Sequence, residues 1–396
     1  MRKRCIMKKI YSGGSIMFDN RFFNEIHGNF GFGCMRLPML GEEVDIEQTK
    51  QMVDKFIAEG FNYFDTAHGY IGGKSELALK ECLTSRYPRE SYLLTNKLTA
   101  PYFEKEEDIR PFFMSQLEAC GVDHFDFYLM HAQSSRNFPH FKECRAYETA
   151  FALKEEGYIR HVGLSFHDTP ETLDMILNEY PQVEAVQLQF NYADYEDRSV
   201  QSKACYDVCV KHGKPIIVME PVKGGSLVKL PGKSGEIIEA FRKLHGVNNS
   251  NASYAVRFAA SFENVFMVLS GMSNMEQMED NTTTMRDFKP LDKEEFDMIF
   301  KVREAIESMK LIKCTGCRYC VTDNECPANI PIPRIFECCN SKLAFESPGA
   351  AHMYGFVTRE KGKASDCLKC GMCESICPQH LPIRSYLELA VKEFEE

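Results

Sequence analysis

The 396-residue sequence predicts a closed α/β barrel of parallel strands, followed by a smaller cysteine-rich domain. Two observations predict this fold class. Short apolar segments alternate with longer amphipathic segments from Phe30 to about Met272, and two similar cysteine runs follow near the end of the chain. An open doubly wound sheet is the alternative, but no Gly-x-Gly-x-x-Gly follows the first strand. The closed barrel is therefore favoured.

The predicted strands are rich in Val, Leu, Phe and Tyr and are bounded by polar residues or by Gly and Pro. In chain order they are FGFGCMRL, FNYFDTA, SYLLTNKL, FDFYLMHA, HVGLSFH, EAVQLQFN, PIIVMEPV and VFMVLSGM. Amphipathic helical patterns accompany them at 47–59 and near 75–86, 107–120, 147–156, 171–180, 199–212 and 274–286. Eight strands alternating with helices over about 250 residues are typical of a parallel (β/α)8 barrel.

The pattern changes after Pro290. Residues 291–310 carry one apolar stripe, and Asp292 and Glu295 are spaced as a helix capping pair. We therefore expect a flexible lead over 1–25, the barrel over 26–290, a connector helix over 291–312 and the cysteine-rich domain over 313–396.

Composition narrows the function classes. The net charge of −10 argues against a nucleic-acid binder. No run of eighteen apolar residues exists, so we expect no membrane span, and the basic start lacks the apolar stretch of a secretory signal. Nine of the seventeen cysteines are scattered through the chain, as expected for free thiols in a reducing cytoplasm.

The other eight cysteines form an internal repeat. Each run has three cysteines at every third position and then a Cys-Pro, and the two runs start 53 residues apart. A four-iron cluster needs four thiolates, which such a run supplies. Paired zinc sites are the alternative, but zinc does not need a third cysteine at the same spacing in both runs. The candidate ligands are Cys314, Cys317, Cys320, Cys326, Cys367, Cys370, Cys373 and Cys377.

This end of the chain, from Cys314 to about Leu389, resembles dicluster ferredoxins. The resemblance implies two 4Fe-4S clusters with the last cysteine of each run bound to the other cluster. It also departs from the usual pattern, since five residues, VTDNE, precede Cys326 where three are common. Helical stretches near 333–345 and 383–395 favour a mostly helical ferredoxin-like module. The implied sets are Cys314, Cys317, Cys320 and Cys377, and Cys367, Cys370, Cys373 and Cys326.

Ionisable residues stand where three consecutive predicted strands end, the positions that carry chemistry in barrel enzymes. They are Asp65, Tyr70, Lys97 and His131. A buried Lys97 would lower the pKa of the Tyr70 phenol, and Asp65 would keep Lys97 protonated. Tyr70 could then transfer a proton to a carbonyl oxygen while His131 orients that oxygen. Asp65 could instead be a buried helix cap, and His131 could be a core histidine with no catalytic role. A buried lysine such as Lys97 is harder to explain without a function.

The barrel region resembles the aldo/keto reductase family. The resemblance rests on GFGCMR, DTAHGY followed by KSE, TNKL, LMHA, VGLSFH, QLQFNY and SGMSN, which occur in that order. It implies that Tyr70 is the general acid/base, tuned by Lys97 and Asp65, and that His131 orients the carbonyl. For the cofactor it implies that Ser165 and Gln187 hold the nicotinamide carboxamide. The turn after strand seven, with Pro221, Lys223, Gly224 and Gly225, would follow the pyrophosphate.

Two departures affect the cofactor contacts: Phe166 replaces the family's asparagine, and Met219 stands where an aromatic ring often stacks. Residues 265–285 contain no Lys or Arg for a 2′-phosphate, whereas Glu279, Asp280 and Asn281 suit ribose hydroxyls. NAD(H) is therefore favoured over NADP(H).

The leading hypothesis is an oxidoreductase that interconverts a small-molecule carbonyl and alcohol and carries two clusters. The alternative is an iron–sulfur electron-transfer or docking protein in which the barrel is mainly a scaffold. Nicotinamide moves two electrons together, whereas each cluster moves one. The clusters are therefore expected to be structural or to dock a redox partner protein, and electron transfer between the clusters and the barrel site is the alternative.

Overall fold

The computed structural model describes residues 22–197, 199–309, 311–322, 326–345 and 349–396. Eight parallel strands close into a barrel, so the predicted barrel is confirmed. Each predicted strand overlaps a barrel strand, and several barrel strands end before the predicted segment does because the chain turns toward a helix there. The strands are β1 (Phe30–Gly33), β2 (Tyr63–Asp65), β3 (Leu93–Leu98), β4 (Phe125–Gln133), β5 (Ile159–Phe166), β6 (Ala185–Gln189), β7 (Ile216–Met219) and β8 (Val265–Ser270).

Helices connect the strands and follow the last one. They are α1 (Ile46–Ala58), α2 (Lys74–Leu79), α3 (Glu106–Cys120), α4 (Phe138–Glu143), α5 (Ala146–Glu155), α6 (Pro170–Glu179), α7 (Ser202–Lys211), α8 (Gly232–His245), α9 (Asn251–Ala260) and α10 (Met275–Arg286). The sequence patterns did not predict α4, α8 or α9. In α9 eight of ten residues are buried, so it lacks the polar face that marks an amphipathic helix.

The N-terminal end of the barrel is closed by the segment before β1. Phe23 and Ile26 are buried, and the ring of Phe23 lies 5.0 Å from that of Phe127 and 4.8 Å from that of Phe266. The expectation of a flexible lead up to residue 25 is therefore wrong for its last residues, which bury apolar area against the barrel. The rest of that lead, residues 1–21, lies outside the described residues.

Helix α11 (Lys293–Ser308) has the predicted capping pair: Asp292 accepts from the Glu295 N–H at 2.9 Å, and Glu295 accepts from the Asp292 N–H at 3.0 Å. Met298, Ile299 and Val302 join the barrel core. The helix is therefore a part of the barrel domain rather than a separate connector.

The C-terminal domain is helical wherever regular structure is assigned in its described residues, and it has a core of its own. The helices predicted near 333–345 and 383–395 are confirmed. Its helices are α12 (Tyr319–Thr322), α13 (Ile332–Phe345), α14 (Ala350–Val357), α15 (Met372–Ser375) and α16 (Ile383–Phe394). Within the described ranges, no helix combines the length and the apolar character needed to cross a bilayer.

Candidate active site

The four predicted catalytic side chains meet at the carboxyl end of the barrel. Asp65 is the last residue of β2, Lys97 lies in β3, His131 lies in β4, and Tyr70 lies in the loop after β2. The Lys97 ammonium donates to Asp65 Oδ1 at 2.7 Å and to the Thr66 carbonyl at 2.7 Å. Lys97 has no exposed surface, so this pairing compensates the loss of its hydration.

Tyr70 lies between the lysine and the histidine. Its ring centroid is 4.8 Å from Lys97 Nζ and 6.1 Å from the His131 ring. Its hydroxyl makes no hydrogen bond to any residue that the structure describes. The phenol is therefore free to bond a ligand in the cavity above it.

The expectation that Lys97 lowers the pKa of Tyr70 is wrong for this structure. Burial raises the pKa of Tyr70 well above its usual value, and the charges of Asp65 and Glu220 raise it further. The physical reason is that Asp65 neutralises Lys97 at 2.7 Å. Tyr70 consequently stays protonated near neutral pH, which suits a proton donor.

His131 is a neutral imidazole. Burial lowers its pKa well below the usual value, and the charge of Lys97 lowers it further. Nδ1 lies 2.8 Å from the Thr99 hydroxyl. When that hydroxyl donates to Nδ1, Nε2 carries the proton and can donate to a carbonyl oxygen.

A cavity of about 730 Å³ opens above these residues and is lined by Asp65, Tyr70 and His131. Ser165 and Gln187 line the same cavity. Ser165 Oγ accepts from the Ala132 N–H at 2.7 Å, so its own proton is available to a ligand. Gln187 Nε2 donates to Asp65 Oδ2 at 3.1 Å, which leaves its carbonyl oxygen as an acceptor.

The turn after β7 borders the cavity through Pro221, Gly224 and Gly225. Lys223, the fourth predicted residue of this turn, is not among the residues that line the cavity. Its side chain is buried, and its ammonium donates to Asp194 Oδ1 at 2.5 Å. The ammonium therefore points into the protein, and the turn offers backbone groups to the cavity.

The eight predicted metal ligands surround two small cavities in the C-terminal domain. In the described part of the chain, no three His, Cys, Asp or Glu side chains converge as ligands of one metal ion. A four-iron cluster differs from a single ion, because each thiolate binds its own iron at a separate corner. One cavity is lined by Cys314, Cys317, Cys320 and Cys377, and the other by Cys326, Cys367, Cys370 and Cys373.

The polar residues that line the large cavity and were not predicted include Arg36, His167, Gln189 and Gln379. Arg36, His167 and Gln189 stand near the ends of predicted strands, so the strand-end rule could have found them. Burial lowers the pKa of His167 to about 4, so it is a second neutral imidazole at the cavity. Gln379 follows the last Cys-Pro, and no sequence signal connects it to the barrel.

Comparison with known proteins agrees with this architecture. A profile of the aldo/keto reductase family matches residues 29–304. An uncharacterised oxidoreductase of Schizosaccharomyces pombe is 26% identical over 269 residues, which cover 63% of this chain and 79% of that protein. The NADH-specific methylglyoxal reductase of Escherichia coli is 26% identical over 187 residues, 42% of this chain and 54% of that protein.

Solved structures share the fold. An aldo-keto reductase from Bacillus halodurans in its holo form superposes with a TM-score of 0.55 at 22% identity, covering 69% of this chain and 91% of that one. An aldo-keto reductase from Klebsiella pneumoniae in complex with NADPH superposes with a TM-score of 0.57 at 18% identity, covering 69% of this chain and 90% of that one. The family match spans most of the barrel and ends before the first cysteine run. The chain therefore belongs to the aldo/keto reductase family, whose members are NAD(P)H-dependent oxidoreductases.

Proposed function

We propose that the protein reduces a small-molecule carbonyl to an alcohol in the large cavity, with Tyr70 as the proton donor. One observation carries this proposal. The protonated Tyr70 hydroxyl and the neutral His131 imidazole face one cavity, beside the buried pair of Lys97 and Asp65. This arrangement also favours an enzyme over a barrel that serves only as a scaffold.

The proposed residue roles follow from the hydrogen bonds that are left open. His131 Nε2 donates to the carbonyl oxygen and orients it, and Tyr70 delivers a proton to that oxygen. The nicotinamide, when bound, supplies the hydride. Ser165 donates to the carboxamide oxygen, and Gln187, held by Asp65, accepts from the carboxamide nitrogen.

Replacing Tyr70 by Phe tests this function. Loss of the proton donor should lower kcat by about 10²- to 10⁴-fold on a panel of aldehydes and ketones, with little change in cofactor affinity. The matched control is Tyr192→Phe, because the Tyr192 hydroxyl is buried without a hydrogen-bond partner in the described structure. Equal rates for wild type and Tyr70→Phe would refute the role of Tyr70.

We also propose that NAD(H) is preferred over NADP(H). At the end of the cavity formed by the start of α10, Gln277, Asp280 and Asn281 are lining residues, whereas Glu279 is not among them. Arg36 also lines the cavity, but its guanidinium donates to Glu220 at 3.3 Å and to the Thr315 carbonyl at 2.9 Å. A 2′-phosphate would therefore meet mainly acidic and amide side chains.

The ratio of kcat/KM for NADH and NADPH tests this preference, and NADH should be favoured. Gln277→Arg should move the ratio toward NADPH by about tenfold, since one added cation can pair with the 2′-phosphate. Lys229 also lines the cavity, so Lys229→Met is the control. A wild type whose kcat/KM is at least tenfold higher with NADPH than with NADH would contradict the proposed preference for NAD(H). A fall of kcat/KM for NADPH alone in Lys229→Met would also contradict it, because Lys229 would then be the cation that binds the 2′-phosphate.

For the C-terminal domain, residues 313–396, we propose two 4Fe-4S clusters. The support is the donor set: each small cavity borders four thiols, and Ile332 lines both cavities, so the two sites are adjacent. Cys370 is exposed, whereas no cysteine of the first set is, so we propose that the redox partner protein docks at the second site. The clusters are proposed to hold the domain together and to dock that partner.

Iron and acid-labile sulfide in anaerobically purified protein test the clusters, with about eight of each expected per chain. Cys317→Ala and Cys373→Ala should each lower both values to about half. Cys338→Ala is the matched control, because Cys338 is a buried cysteine outside the two sets. If the purified protein contained zinc and no acid-labile sulfide, the proposal of two clusters would be wrong and paired zinc sites would explain the cysteines.

A further inference from the structure

The C-terminal domain contacts the turn after β7 directly at Gly224. This turn is called the cofactor turn below, because it is the proposed pyrophosphate site. This glycine has φ +62°, and a Cβ built on it would lie 2.0 Å from the Thr315 carbonyl oxygen. A side chain is therefore excluded both by the backbone conformation and by the contact. The same carbonyl accepts from Arg36 Nη2 at 2.9 Å, so Thr315 is held against the turn.

A second contact between the domains is a buried pair of amides. Gln189 Nε2 donates to Gln379 Oε1 at 2.9 Å, and Gln379 Nε2 donates to Gln189 Oε1 at 2.6 Å. The exposed fractions of Gln189 and Gln379 are 4% and 3%. Each amide satisfies the other, and removal of one leaves polar atoms buried without a partner.

The hydrogen bonds continue from this pair to the cofactor turn. Gln189 Nε2 also donates to Asp194 Oδ2 at 2.6 Å, and Asp194 Oδ1 accepts from Lys223 Nζ at 2.5 Å. Asn191 Nδ2 donates to Asp194 Oδ2 at 2.7 Å. Lys223, with φ +50°, immediately precedes Gly224. A buried line of hydrogen bonds thus runs from the C-terminal domain to the turn that borders the cavity.

We propose that Gln379 is a positioning residue for the dinucleotide cofactor, acting through Gln189, Asp194 and Lys223 on the turn at Gly224. The C-terminal domain is then a part of the cofactor site rather than an appendage to a complete reductase. This inference rests on the proposed function. Its physical basis is that backbone groups bind a pyrophosphate well only when their geometry is fixed before binding.

The test measures the dissociation constant of NADH and NADPH by nicotinamide fluorescence, without substrate. Gln379→Met keeps the volume and removes the amide, and it should weaken cofactor binding by about tenfold. Gln189→Met breaks the same pair from the barrel side and should act alike. In a Lys223→Met background, Gln379→Met should have no further effect, because the two residues lie on one line of bonds.

The control is Lys369→Met, which removes an exposed ion pair with Glu388 at 2.8 Å in the same domain and should leave cofactor affinity unchanged. A wild type that binds neither dinucleotide would overturn the proposed function itself. A wild type that binds, with Gln379→Met binding equally well, would overturn this inference alone, whatever happens to the thermal midpoint. Independent, multiplying effects of Gln379→Met and Lys223→Met would also overturn it.

Discussion

At the scale of single residues, the pair of Lys97 and Asp65 determines the protonation of the site. Burial lowers the pKa of Lys97, and the charge of Asp65 opposes that shift. Because Asp65 compensates the ammonium, little positive charge remains to stabilise a Tyr70 phenolate, and burial keeps the phenol protonated. Lys97 therefore acts on the site mainly through its ion pair with Asp65 and its packing against the Tyr70 ring.

Lys97→Met should leave Asp65 buried without a counter-charge and should lower the free energy of unfolding by about 3 to 5 kcal/mol at pH 8. The loss should be smaller at pH 5. Burial raises the pKa of Asp65, so in the variant the carboxyl takes up a proton more readily in the folded state as the pH falls. Urea unfolding followed by circular dichroism at both pH values measures the difference.

The double variant Asp65→Asn/Lys97→Met removes both charges and should regain most of the lost stability at pH 8. A single Lys97→Met variant as stable as wild type at both pH values would show that Asp65 carries no buried charge.

At the scale of elements, β5 anchors the segment that closes the barrel's N-terminal end. His161 Nε2 lies 2.7 Å from Glu25 and Nδ1 lies 2.9 Å from Glu184. Burial lowers the pKa of His161, but the hydrogen bonds to Glu184 and Glu25 outweigh it, so the net shift is upward. Burial raises the pKa of Glu184, but His161 and Lys154 together lower it to about 2. The protonated histidine therefore links Glu25 to the barrel.

This link predicts a pH dependence of stability. A histidine whose folded pKa is raised stabilises fully below its unfolded pKa of about 6.5, and the contribution is lost as the pH rises through the folded value. The contribution of Glu184 is present above about pH 4.3 and is lost only as the pH falls toward 2. The thermal midpoint of unfolding should therefore decrease as the pH is raised from about 6 to about 9. The decrease should be smaller in His161→Gln.

His27→Gln is the matched control, because His27 is exposed in the same N-terminal segment. It should reproduce the wild-type slope of thermal midpoint against pH. If the thermal midpoint of His161→Gln depended on pH as steeply as that of the wild type, His161 would not be the cause of the pH dependence.

At the scale of the whole molecule, the barrel domain and the C-terminal domain are in contact at the mouth of the barrel. Helix α11 belongs to the barrel core, and the C-terminal domain has its own. The contacts between them include Lys313 with Asp197, Arg136 with the Ser375 carbonyl, and the amide pair of Gln189 and Gln379. Six of the eight predicted ligand cysteines belong to the core of the C-terminal domain or pack against it, so the integrity of that core should depend on what they bind.

Removal of iron by anaerobic chelation should therefore loosen the C-terminal domain while the barrel stays folded. Limited proteolysis should cleave the C-terminal domain before it cleaves the barrel domain. NADH should also bind more weakly, because Thr315 and Gln379 lie close in sequence to the proposed cluster ligands Cys314 and Cys377. Reconstitution with iron and sulfide should restore both. Cys338→Ala treated in parallel should behave as wild type, and an unchanged cutting pattern after chelation would contradict the structural role of the clusters.

The sequence by itself determined the barrel, the capping pair of α11 and the two helices that were predicted in the C-terminal domain. Each of these rests on spacing within one segment, where local periodicity reports burial directly. It also placed Asp65, Tyr70, Lys97 and His131 at strand ends, which closure of the barrel then brings together.

Only the tertiary structure decided the direction of the Lys223 side chain, the protonation of Tyr70 and the packing of Phe23 under the barrel. The same holds for the pair of Gln189 and Gln379, which are separated by 190 positions in the chain. The physical reason is common to all four. Each depends on a partner or on burial supplied by distant segments, and no pattern within one segment encodes which distant groups will meet.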